Sequence, residues 1–275
     1  MHRRSMLLSL IAGVAVAATA CGPATDQTVS APGSVAAPAG LANPGSLTVA
    51  LPTGLPPYGF HGRDGRAEGF AVDLASAMAT RLGVRARLVA LTPQDLLVAG
   101  RVGLADVVLG TTPLSRTSQP PAGFDLVPYL RGGSELLVAG SSAFQPRQLD
   151  ELCGRAVVLV AGTQQQSLLT GSSPACGPAP PRVDAVASNA DALAALRRGD
   201  ADAYLADSAT AAYDKATGGG LMTTSAVIDD TELALALRSD PGTVRDAVIR
   251  AYYSVHSDGT YEVLVKKWGM TAQQL

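Results

Sequence analysis

The sequence predicts an α/β protein built as two lobes, and three observations carry that expectation. Apolar strand-like runs alternate with amphipathic helix-like runs along most of the chain, which is the pattern of parallel βαβ units. The alternation comes in two blocks, residues 47–130 and 155–215, each long enough for a small domain. The composition, 47% hydrophobic with 4% aromatic and 16% charged residues, suits a packed body of roughly 230 residues behind a low-complexity N-terminus.

In the first block, "SLTVAL" from Ser46 reads as an apolar strand. "GFAVDLASAMATRLG" (69–83) places Phe70, Leu74, Met78 and Leu82 four residues apart on one helical face, and Gly83 ends that helix. "VRARLVAL" alternates Val84, Ala86 and Leu88 against Arg85 and Arg87, a half-exposed strand. "PQDLLVAGRVG" is a short helix, "ADVVLG" a fully apolar strand, and "FDLVPYL" leads to a strand "SELLVAG".

The second block opens with the strand "RAVVLVAG" and the helix start "TQQQSLL". "SNADALAALRRG" is a helix with Ser188 as N-cap and Asp191 at the capping-box position. "DAYLA" is a strand and "DSATAAY" a helix, followed by the strand "TELALALRS", a helix starting at Pro241 and a last helix after Gly259. Open α/β sheets bind ligands beyond the carboxyl ends of their strands. Leu51, Gly110, Gly162 and Asp207 stand at such ends, which points to one cleft.

The N-terminus carries an address. Arg3 and Arg4 precede an apolar core from Met6 to Ala18, the proportions of a signal peptide over 1–20 and short for a membrane span of about 20 apolar residues. The ending "AATAC" resembles the lipobox of bacterial lipoproteins, which implies cleavage before Cys21 and a lipid on its sulfur. The alternative is an ordinary signal peptide with an incidental cysteine. Residues 21–46 are rich in Pro, Ala, Gly and Ser, too poor in large apolar side chains to offset ordering entropy, and read as a flexible tether. The expected location is extracytoplasmic, lipid-anchored to the cell membrane.

Outside the cytoplasm the two remaining cysteines, Cys153 and Cys176, are expected to pair; two buried free thiols are the alternative. His2, His61 and His256 are scattered, so no metal site is expected, and no motif calls for a cofactor. The formal charge of −2, with no basic patch, argues against a nucleic-acid partner.

Six segments in order, "LPPYGF", "GRAEGFAVDLASAMATRLGV", "RVGLADVVLGTTPLSR", "LDELCGRAVVLVAGTQQQ", "LRRGDADAYLADSATAAY" and "SDGTYEVLVKKWG", resemble the bacterial solute-binding protein family 3, the receptors of polar amino acid ABC transporters. The resemblance covers almost all of 47–270. It implies the two-lobed, type II periplasmic-binding-protein-like fold, with lobes joined by two crossing hinge strands near 131–137 and 231–237. Lobe 1 would comprise 47–132 plus 234–275, and lobe 2 would comprise 133–233. It implies a non-enzymatic function: binding a polar amino acid or similar small zwitterion between the lobes and delivering it to an ABC transporter permease.

The chemistry of such a site is set by the ligand. A zwitterion brings a carboxylate and an ammonium, and burying either without a partner is costly. In the family an arginine fork holds the carboxylate and an aspartate holds the ammonium. By position these are Arg116, in a loop one residue shorter than usual, and Asp207. Asp is also a preferred N-cap, and Asp207 can do both with one oxygen each. Gly110 and Thr112 would offer a carbonyl and a hydroxyl. Thr163 and Gln164 would present a helix N-terminus to the carboxylate. Leu55 stands where relatives carry a stacking aromatic, with Tyr58 and Phe60 nearby as substitutes. Pro52 stands where receptors for basic side chains often carry an acid, which disfavours lysine, arginine and histidine.

Two other readings compete. The fold also resembles periplasmic cyclohexadienyl (prephenate or arogenate) dehydratases, which need a general acid; Glu68 and His61 are the nearest candidates. A tethered solute sensor that does not transport is the third.

Overall fold

The computed structural model describes residues 35–114, 121–218, 220–239 and 242–275. The expectations for the signal segment, Cys21 and Arg116 lie outside those residues.

In the first block, β1 (Ser46–Pro52), β4 (Arg85–Leu91) and β5 (Val107–Leu114) alternate with α1 (Phe70–Arg81) and α2 (Leu96–Arg101), and a small hairpin of β2 (Phe60–His61) and β3 (Ala67–Glu68) precedes α1. The second block holds β7 (Ala156–Val160), β8 (Arg182–Val186) and β9 (Ala203–Asp207), with α3 (Gln164–Ser172), α4 (Asn189–Arg198) and α5 (Ser208–Gly218). Two long strands, β6 (Phe124–Ala139) and β11 (Ile228–Arg238), lie between the blocks, with β10 (Leu221–Thr223) beside β6; α6 (Thr243–Ser257) and α7 (Thr260–Lys267) end the chain.

The sheet order is β4-β1-β5-β11-β6-β9-β7-β8. Its pattern follows from burial. β1, β7 and β9 are apolar on both faces and sit inside the sheet with parallel neighbours. β4 and β8 carry Arg85, Arg87, Arg182 and Asp184 and form the two edges, where charge discourages further pairing.

The expected crossings are β6 and β11. β6 is one continuous 16-residue strand in place of the two segments read from the sequence. Its first part pairs with β11, and Ser134 to Leu137 pair with β9. β11 pairs antiparallel with β5 through Glu232 to Leu237. Register shifts between Ile228 and Thr231 and between Leu233 and Ala234 bend the pair. Gly132 and Gly133 make the crossing close: a Cβ on Gly132 would stand 2.6 Å from Leu233 Cγ, and one on Gly133 2.3 Å from Val227 Cγ1.

The C-terminal helices close back on the first block. Asp73 of α1 accepts from Lys267 Nζ at 2.6 Å and from Trp268 Nε1 at 2.7 Å, and Arg81 pairs with Asp258. The α6 helix begins at Thr243, with Pro241 outside the described residues. Ser188 caps α4 by accepting from Asp191 N, as the capping-box spacing predicts.

The tether expected to reach residue 46 gives way to packed chain earlier. Leu41 is buried in the core, Val35 N donates to Arg81 O, and Ala42 N donates to Asp106 Oδ1 at 2.8 Å. One leucine and a few backbone donors suffice, because the body already offers a greasy slot and free acceptors. Cys153 and Cys176 form a disulfide with Cα atoms 5.4 Å apart. It ties the segment before β7 to the one after α3, beside a satellite core of Leu152, Val157, Leu159 and Leu169.

Candidate functional site

Asp207 ends β9, and α5 begins at the next residue, so the strand tip and the helix N-terminus coincide. Its Oδ1 accepts from Ala209 N at 2.9 Å and Thr210 N at 3.4 Å, which is the capping role. Tyr58 Oη donates to the same oxygen at 2.9 Å. Among the described residues, Oδ2 accepts no hydrogen bond. Asp207 is 5% exposed. Burial pushes its carboxyl up to about 6, against the opposing pull of these three donors, and the Glu135 carboxylate adds to the rise.

Tyr58 reaches Asp207 because the loop after β1 is tightly folded. Leu55 N donates to Gly59 O, Tyr58 N donates to Leu55 O, and Ala71 N at the start of α1 donates to Tyr58 O. Gly69 is required there: its φ is +133°, and a Cβ would stand 2.3 Å from Tyr58 O. Behind Asp207 a second polar chain runs from Tyr204 Oη to Asn189 Oδ1 at 2.9 Å and from Asn189 Nδ2 to Asp214 Oδ1 at 2.8 Å. Burial pushes Asp214 up to about 6 as well.

A cavity of about 240 Å³ lies between the two blocks. Thr111, Thr112 and Pro113 of β5 form one wall, and Gly162, Thr163, Gln164 and Ser167 at the start of α3 form the other. Thr163 is the N-cap by backbone geometry, but its side chain makes no capping bond: the hydroxyl donates to Val160 O at 2.7 Å. The first-turn amides of α3 therefore have no side-chain acceptor from Thr163, an arrangement suited to an anion. Gln164 Nε2 donates outward to Asp229 Oδ2 at 2.8 Å. Gln165 is the buried one, with Nε2 3.0 Å from Ser134 Oγ.

The expected site residues fall into groups. Tyr58 and Asp207 meet directly, and Thr112, Thr163 and Gln164 share the cavity wall. The Gly110 carbonyl accepts from buried Tyr129 Oη at 2.7 Å. Leu55 is packed into the core at 2% exposure, and Phe60 sits 5.8 Å from the rings of both Tyr213 and Trp268. Neither lines the cavity. His61 and Glu68 stand exposed on the β2–β3 hairpin. Sequence reasoning missed Tyr129, Ser134, Gln165 and Asn189. A polar side chain inside an apolar run is the one local signal they give, and it does not name a partner. Among the described residues, no cluster of His, Cys, Asp or Glu could hold a metal, and no helix is long and apolar enough to cross a membrane.

Comparison with known proteins agrees with this architecture. The L-cystine-binding protein TcyJ of Escherichia coli K12 is 29% identical over 226 residues, 82% of each chain. The lysine/arginine/ornithine-binding periplasmic protein of the same strain is 26% identical over 246 residues, 86% of this chain and 92% of that one. Among solved structures, holo ArgBP from T. maritima superposes with a TM-score of 0.69 at 27% identity, covering 82% of this chain and 96% of that one. The ancestral amino acid-binding protein AncCDT-1, described as a precursor of cyclohexadienyl dehydratase, gives 0.71 at 25% identity, covering 82% and 95%. The family and these curated relatives are binding proteins, not enzymes. The sequence model of the bacterial extracellular solute-binding proteins, family 3, matches residues 47–271, and with that span matched the chain belongs to this family.

Proposed function

We propose that this protein captures a small amino acid or similar zwitterion between lobe 1 (47–132 plus 234–275) and lobe 2 (133–233). Asp207 holds the ammonium through Oδ2. Thr112, the start of α3 at Thr163 and Gln164, and Arg116 receive the carboxylate, with the Gly110 carbonyl as a further acceptor. The observation that carries this reading is a nearly buried carboxylate whose described partners are neutral donors, all on one oxygen. A buried carboxylate in that state is costly, and an ammonium supplies the missing charge.

The named relatives that bind cystine or basic amino acids support an α-amino acid as the ligand class. Pro52, buried at the end of β1, leaves no acid at the position expected for basic side chains, so a neutral or polar side chain is favoured. In this reading Cys21 carries the lipid anchor, and the closed receptor docks on an ABC transporter permease. Closure is favoured by the ligand's preference for the closed state.

The test is thermal-shift screening of the purified protein against the common amino acids. A true ligand raises the midpoint by mass action. A flat response across the panel, with AncCDT-1-like turnover of prephenate, would instead favour the dehydratase.

A further inference from the structure

Tyr58 is fully buried, and a buried phenol needs a hydrogen-bond partner. Its partner lies 149 positions away, on the other half of the sheet. The phenol belongs to the loop that follows β1, clamped onto α1 by the bond from Ala71 N and by the close approach of Gly69. The carboxylate belongs to the tip of β9. The two groups can meet only when the halves are together.

We infer that Tyr58 is the positioning residue of the ammonium site: on closure its hydroxyl docks on Asp207 Oδ1, completes that oxygen's set of donors, fixes the carboxylate plane and leaves Oδ2 to the ligand. This rests on the reading of Asp207 above, and it assigns Tyr58 a different role from the ligand contact expected from sequence.

The surroundings make the hydroxyl matter. The groups acting on Asp207 are Tyr58 from the loop after β1, Glu135 and Tyr129 from β6, and Tyr204 on β9 itself. Lys215 of α5 acts on Glu135. No described group among those acting directly on Asp207 is a cation. Burial favours its neutral form, and the Tyr58 bond is the largest of the effects that oppose it. A neutral carboxyl would hold an ammonium poorly, so the phenol also keeps Asp207 ionised at neutral pH.

The test is a carboxyl titration by 13C NMR on the ligand-free protein labelled at aspartate, with the Asp207 signal assigned from D207N. Y58F keeps the ring and removes one donor. A hydrogen bond to a charged group is strong enough that its loss should raise the Asp207 midpoint by roughly one to two pH units. An unchanged midpoint would overturn the inference. Should Y58F not fold, the wild-type Tyr58 hydroxyl proton decides: slow exchange with solvent supports the docked geometry, and free exchange contradicts it. The same two proteins are then screened with the common L-amino acids at pH 6 and pH 8. Loss of the wild-type thermal shift in Y58F at pH 6 with recovery at pH 8 supports the inference, and equal shifts at both pH values contradict it. If no amino acid shifts even the wild type, the ligand class is wrong, while the titration still decides what Tyr58 does.

Discussion

The backbone N–H of Asn189 donates to the carbonyl of Gly54 at 2.9 Å, joining the start of α4 to the loop after β1. A second crossing contact lies at the other wall, where Gly162 faces Gln94 so closely that a Cβ would stand 2.0 Å from Gln94 Cγ. These contacts belong to a closed cleft and depend on glycine at the points of approach.

Gly162→Ala is therefore expected to hold the cleft ajar. The φ of +74° adds local strain of roughly 1–2 kcal/mol for any side chain. If the closed population falls tenfold, apparent ligand affinity falls about tenfold with it. Small-angle scattering with amino acid present should show a larger radius of gyration than wild type. An unchanged radius and affinity would mean that the approach of Gly162 to Gln94 plays no part in closure.

Asp207→Ala separates binding from folding. Loss of the N-cap costs about 1 kcal/mol, and removal of a buried carboxylate offsets part of it. Loss of the ammonium's partner costs about 2–5 kcal/mol of affinity. Calorimetry should show binding largely abolished in a protein whose melting temperature barely moves. Full affinity in this variant would remove Asp207 from the site.

The pH dependence has a definite sign. Asp207 and Asp214 both titrate near 6 in the folded protein, above the ordinary carboxylate range, because burial disfavours their charge. Between about pH 4 and pH 6 the folded state holds more protons than the unfolded one, so the stability these groups contribute is lost as pH rises through 6. The ligand-free melting temperature should fall from about pH 5 to pH 7.5 on their account. Asp214→Asn, which keeps the bond pattern without the charge, should flatten part of that slope. Affinity for an amino acid should rise over the same window, since only the ionised Asp207 pairs with an ammonium. Asp258 acts oppositely: Thr260 and Arg81 hold it down at about 2, so its contribution is lost only in acid as pH falls through that value.

The Cys153–Cys176 bridge closes a loop of 23 residues' separation. In the chain-entropy model that is worth about 3 kcal/mol, or roughly 6–12 °C in melting temperature for a body of this size. The double Cys→Ser variant should lose that stability and keep its affinity, because the bridge sits beside the satellite core away from Asp207. A variant that melts like wild type would show the bridge to be without thermodynamic effect.

Local signals read well where burial and periodicity speak together. The four-residue spacing of Phe70, Leu74 and Met78 found α1, Ser188 and Asp191 found the start of α4, and the arginines of β4 marked a half-exposed strand. β8 escaped because it is an edge strand whose residues are mostly exposed and give no apolar run. β6 looked like two pieces because Pro128 and the Gly132–Gly133 pair read as breaks; in the folded chain they are where two crossing strands approach and bend. Asp207 was legible as a cap, since that is a relation to Ala209 and Thr210 next door. Its bond to Tyr58 was not, because no local rule links residues 149 apart. For the same reason Leu55 and Phe60 could be placed in the right loop without showing that they pack into the body.

The central claim is that a ligand's ammonium pairs with Asp207 between the lobes. Isothermal titration of the wild-type protein with the amino acid that most raises its melting temperature, beside the N-acetylated form of the same amino acid, tests this most directly. Acetylation removes the positive charge and leaves the carboxylate and side chain. The account predicts binding of the free amino acid and loss of about 2–5 kcal/mol of affinity on acetylation. Equal affinity for both would contradict it.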